Sequence, residues 1–122
     1  MTHTILVVDD ESDYLDIAAA LLSAEGHTVL KASTGAEGLA KAAAHKPELI
    51  VLDIGLPDIG GLDVNRRLKK DPATAGIPVL LFTVRSELDL VDKALKEGAA
   101  EFILKPFDAG RFVLTVKKHL KK

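Results

Sequence analysis

Five short apolar runs punctuate this chain, and their spacing limits the fold more than any other feature. They occupy residues 5–8, 29–30, 49–52, 79–82 and 102–104, each of strand length. The first, third and fourth are continuously apolar and rich in branched side chains, as central strands covered on both faces must be, whereas the second and fifth read as edges. Between them, apolar residues recur at helical spacing: Leu15, Ala18 and Leu22; Leu88, Val91 and Leu95; Phe112, Val116 and Leu120. Thr34-x-x-Glu37 matches a capping box, Ser86-x-x-Asp89 marks another helix start, and Gly26 and Gly98 stand where helices end. Residues 71–78, with Pro72, Gly76 and Pro78, predict a loop. Strand and helix thus alternate through five βα units, which implies an α/β fold: right-handed crossovers, a five-stranded parallel sheet and helices on both faces, a doubly wound three-layer sandwich.

At 122 residues the expectation is one domain spanning 1–122, and 48% hydrophobic against 28% charged residues is the composition of a packed globule. A net charge of −2 is too balanced to indicate a direct nucleic-acid or membrane-surface partner. Cysteine is absent, which removes a disulfide framework, a thiolate metal site and a Cys nucleophile together. No apolar stretch approaches the ~20 residues of a membrane span, and the run at 5–8 is too short for a signal peptide. A soluble, cytoplasmic protein without membrane insertion is expected.

In an open parallel sheet, ligands bind beyond the carboxyl ends of the strands. There the sequence places Asp9 and Asp10 after the first strand, Asp53 at the third, Thr83 at the fourth and Lys105-Pro106 after the fifth. Asp9 and Asp10 alone read as solvated acids favoured by a helix dipole, and Lys105 alone as a surface lysine. Asp53 alters the balance, because carboxylates ~4 Å apart repel by about 4 kcal/mol at an effective dielectric near 20. A divalent cation resolves the conflict, and carboxylates, backbone carbonyls and water are the hard ligands of Mg²⁺. With Mg²⁺, Asp53 is suited to attack phosphorus and form an aspartyl phosphate, while Lys105 and the Thr83 hydroxyl meet the equatorial oxygens. The histidines at 3, 27, 45 and 119 have no ligand or triad spacing, and Gly55-x-x-x-x-Gly60 is followed by Gly61 and Leu62, not the Lys and Ser or Thr of a P-loop.

Over essentially its whole length the chain resembles the receiver domains of two-component response regulators. The matching text is 5-ILVVDDE-11, 52-LDIGLP-57 with Gly61, Phe82-Thr83 and Lys105-Pro106-Phe107. The resemblance implies a flavodoxin-like sheet of order 2-1-3-4-5, Asp53 as phosphoacceptor, and Mg²⁺ held by Asp9, Asp10, Asp53 and the Gly55 backbone carbonyl. It also implies that Thr83 and Lys105 bind the phosphoryl group, that the Lys105–Pro106 bond is cis, and that Phe102 is the switch aromatic. Phosphorylation would draw Thr83 inward and reshape the face of the fourth helix, fifth strand and fifth helix. The implied partners are a sensor histidine kinase or phosphotransfer protein, and a downstream effector protein or fused output domain. Such a domain catalyses only its own phosphotransfer and dephosphorylation. Because Phe102 carries no hydroxyl, its ring is expected to turn inward even without phosphorylation.

The chain departs from the family pattern in three places. Val84 is bulkier than the usual residue after the threonine, Leu56 stands where Met is common, and Ala100-Glu101 lacks the acidic pair of receivers joined to winged-helix domains. Two other functions compete with the receiver. A haloacid-dehalogenase-like phosphohydrolase requires an acid two residues beyond the nucleophile, where Gly55 stands; an interaction module would have no need of the intact acidic set. Lys117, Lys118, Lys121 and Lys122 read as a solvated, dipole-favoured helix end.

Overall fold

The structure is a computed structural model that describes residues 3–120; Lys121 and Lys122 of the basic C-terminal group lie outside them. Five strands and five helices alternate: β1 (Thr4–Val8), α1 (Ser12–Ala24), β2 (Thr28–Ala32), α2 (Gly35–His45), β3 (Leu49–Asp53), α3 (Gly61–Lys70), β4 (Val79–Thr83), α4 (Leu88–Lys96), β5 (Glu101–Leu104) and α5 (Ala109–His119). All strand pairs are parallel, in the order β2-β1-β3-β4-β5. As expected, β3 and β4 are buried throughout and β2 and β5 form the partly exposed edges.

Alternation along the strands divides the core. Leu6, Val8, Ile50, Leu52, Val79 and Leu81 pack on one face against Ala42 of α2, Val64 and Leu68 of α3, and Val91 and Ala94 of α4. Ile5, Val7, Leu49, Val51, Leu80 and Phe82 pack on the other against Leu15, Ala18 and Leu22 of α1 and Phe112 and Val116 of α5. Gly26 and Gly98 end their helices at φ +90° and +104°, a region that favours glycine.

Three expectations need correction. Thr34 caps α2 by accepting from the Glu37 amide at 3.1 Å, but the Glu37 carboxylate turns to the Ser33 amide at 2.8 Å instead of closing the box on Thr34. α4 does not start at Ser86: residues Arg85–Glu87 form a short 3-10 turn, and the helix proper begins at Leu88. α4 also rotates so that Val91 and Ala94 face the core while Leu88, Leu90 and Leu95 stay exposed, since its small Ala94 lets the helix lie closer on that side than a Leu would.

Candidate functional site at the carboxyl edge of the sheet

Register brings the polar residues together. Val8 pairs with Leu52, so Asp9, one step beyond the end of β1, stands beside Asp53. Thr83 pairs with Leu104, so Lys105 lies one step further along the same edge. Pleating then sorts them: Asp9, Asp53 and Lys105 continue the α1/α5 face, while Thr83 and Phe102 continue the α4 face that Leu81 occupies.

Asp9, Asp53, Thr83 and Lys105 are buried although all are polar. Lys105 Nζ lies 2.9 Å from Asp9 Oδ2, 2.7 Å from Glu11 Oε1 and 3.7 Å from Asp53 Oδ2. Burial alone lowers the Lys105 pKa, but Glu11, Asp9 and Asp53 outweigh it, and the net shift is upward. The Asp53 carboxyl is pushed up from 3.8 to about 7, first by burial and then by the charge of Asp9, against the pull of the Gly55 amide and Lys105. That amide donates to Asp53 Oδ1 at 3.1 Å, and the Glu11 amide donates to Asp9 Oδ1 at 2.9 Å. The Lys105–Pro106 bond is cis.

One carboxylate oxygen from each of Asp9, Asp10 and Asp53 falls within a 4.8 Å cluster. Asp10 is exposed, which leaves one side open to water, and buried Asp9 Oδ2 meets a single cation, the Lys105 ammonium at 2.9 Å, which it shares with Glu11 and Asp53. These are hard, anionic, incompletely satisfied oxygens, and the donor set fits Mg²⁺. The cluster opens on a cleft of about 260 Å³ lined by Asp10, Glu11, Asp53, Gly55, Val84, Glu87 and Lys105.

A family model, the response regulator receiver domain, matches residues 5–117. This chain belongs to the response regulator receiver domains. Such receiver domains are the signalling modules of two-component systems, and binding of Mg²⁺ at an acidic pocket is general among them. Among relatives, the receiver is 36% identical over 119 residues to the phosphate regulon transcriptional regulatory protein PhoB of Pseudomonas aeruginosa, covering 98% of this chain and 52% of PhoB. It is 34% identical over 112 residues to protein PilH of the same organism, covering 92% and 93%. Among solved structures, NtrX from Brucella abortus superposes with a TM-score of 0.91 at 35% identity, over 98% of this chain and 27% of NtrX. The receiver therefore spans about half of PhoB and about a quarter of NtrX. Among the described residues no helix is long and apolar enough to cross a membrane.

Every expected site residue except Phe102 meets at this edge. Phe102 lies on the outermost strand, belongs to neither core cluster and is 36% exposed, so the expected inward ring is not observed. An edge strand offers its side chains one neighbour fewer, and an apolar side chain there is not obliged to bury. Its flank is instead a groove of about 560 Å³ between β5 and α5, shared with Ile103, Arg111 and Thr115. Sequence reasoning missed Glu11 and Glu87, both acids on turns entering helices. The histidines lie elsewhere: His119 Nε2 contacts Glu101 Oε1 at 2.7 Å, and the His3 and His27 rings meet at 5.5 Å, tilted by 60°.

Proposed function

We propose that Asp53 is the phosphoacceptor of this receiver, over a domain spanning 1–122, and that the phosphoryl group arrives from a histidine kinase or phosphotransfer protein. The observation that carries this reading is the Lys105 ammonium, buried between Asp9 at 2.9 Å and Asp53 at 3.7 Å. An Asp53 oxygen attacks phosphorus and forms an O–P bond as the donor's bond to phosphorus breaks, the leaving group taking the electron pair. No proton needs removal once Asp53 is ionised. Lys105 Nζ neutralises charge on the transferring oxygens, and the Thr83 hydroxyl donates to one of them. Asp9, Asp10, Asp53 and the Gly55 carbonyl would hold Mg²⁺, which supplies the positive charge that a cluster of carboxylates and a phosphoryl group together require.

Turnover is confined to the domain's own phosphotransfer and dephosphorylation, in the cytoplasm. With the phosphoryl group in place, Thr83 is drawn off the α4 face that it shares with Phe102, and that face presents a changed surface to an effector protein or a fused output domain. The test is intact-mass measurement after incubation with acetyl phosphate and Mg²⁺. The wild-type chain gains one phosphoryl group, labile as an acyl phosphate; Asp53→Asn gains none. Labelling that persists in Asp53→Asn would falsify the assignment.

A further inference from the structure

One acid in the cleft has no part in that chemistry. Glu87 ends the 3-10 turn before α4 and is half-buried, whereas Ser86 and Leu88 on either side are exposed. Its carboxylate folds back over β3 and β4: Oε1 lies 3.4 Å from the Val84 nitrogen and 3.5 Å from Thr83 Oγ1. A Cβ built on Gly55 would stand 2.7 Å from Glu87 Oε2. The carboxylate therefore fills the space that a side chain at position 55 would take.

We infer that Glu87 is a positioning residue that meters access to Asp53, an anionic latch lying over the donor's approach and sharing the Thr83 hydroxyl. The inference rests on the reading of Asp53 as phosphoacceptor. Two physical arguments support it. First, a phosphodonor is an anion, and it enters a cleft where Asp10, Glu11, Asp53 and Glu87 face a single ammonium; Glu87 adds like charge without touching Lys105. Second, a threonine hydroxyl has one proton to donate. In this structure the Thr83 hydroxyl lies 3.1 Å from the Val84 carbonyl and 3.5 Å from Glu87, and a phosphoryl oxygen on Asp53 must win it from both. Because Glu87 directly precedes the first residue of α4, expelling its carboxylate disturbs the turn from which that helix starts.

The experiment follows labelling by acetyl phosphate at saturating Mg²⁺, at low and high ionic strength, in wild type, Glu87→Gln and Glu87→Ala. Both variants should label at least about threefold faster at low salt, the change that one like charge ~6 Å from the reacting group produces even at the dielectric of water. The wild-type rate should climb with salt more steeply than that of Glu87→Gln, which a merely structural role would not predict. Gly55→Ala supplies an independent arm, since its Cβ pushes aside the flexible end of Glu87 without removing the charge. Its Val84 amide resonance should move in the same direction as in Glu87→Ala. Equal rates and equal salt slopes in wild type, Glu87→Gln and Glu87→Ala, with Asp53 still labelled, would overturn the role of Glu87 alone. An unlabelled wild type, or label retained in Asp53→Asn, would overturn the phosphoacceptor reading beneath it.

Discussion

Lys105 is gripped from two sides. Carboxylates hold its ammonium, while the Tyr14 ring lies 4.5 Å from Nζ to its centroid and the Phe82 ring 5.7 Å, so its charge is paired, dry and aimed. Phe107 stacks on Phe82 at 5.4 Å and meets Phe112 at 4.9 Å, which makes the aromatic cluster the support on which the lysine rests. Asp53 is less comfortable. With a pKa of about 7 against 3.8, the folded chain holds a proton that the unfolded chain has released, so between those values stability falls as pH rises. The destabilisation is expressed in full only above pH 7. In EDTA, Asp53→Asn should therefore raise the melting temperature, and more at pH 8 than at pH 5; equal gains at both would contradict the shift. Asp9, Asp10, Asp53, Thr83 and Lys105 were legible because strand ends fix where their side chains go. Glu11 and Glu87 were not, since an acid on a turn reads as solvated until the direction of the turn is known.

At the scale of elements, the loop that leaves Asp53 is tied to a different βα unit. Asp58 accepts from the Gly35 amide at 2.8 Å and the Ala36 amide at 3.0 Å, taking up free N–H groups at the start of α2. These bonds lower its pKa from 3.8 to about 2. A depressed carboxylate contributes stability that is complete above its unfolded pKa and is lost as pH falls from about 4 toward 2. Asp58→Ala should accordingly melt below wild type at pH 7, with a gap that narrows as pH is lowered through that window. A gap independent of pH would show that packing, not charge, is what the substitution removes. Helix boundaries were readable where a chemical signal marks them, as at Thr34 and Gly98. α2 instead ends on Lys46 at φ 46°, a left-handed position with no glycine to announce it. The start of α4 was misplaced because Ser86 has the right chemistry for a cap but falls inside a 3-10 turn set by the approach of Glu87 to Val84.

Across the whole molecule, alternation puts Asp9, Asp53 and Lys105 on the α1/α5 face and Thr83 with Phe102 on the α4 face, so the polar groups at the carboxyl edge are divided between the two faces of the sheet. A cation bound at the acidic edge is linked to global stability by preferential binding to the folded chain. Melting temperature should rise with Mg²⁺ concentration, and Asp10→Ala should blunt that rise while raising the melting point in EDTA by removing one charge from the cluster. A wild-type melting temperature indifferent to Mg²⁺ at tens of millimolar would rule out the site. Sheet order and faces were legible in outline because five apolar runs with helical spacers admit few windings. The exposure of Phe102 was not, since it depends on how far α4 covers an edge strand. The pairing of Glu11 with Lys105, 94 residues apart, has a temporal side. During synthesis every acid of the cluster exists before its counter-charge does, and only docking of the last strand completes the pocket. A chain that stops before Lys105 would carry the acids without the ammonium that pairs with them.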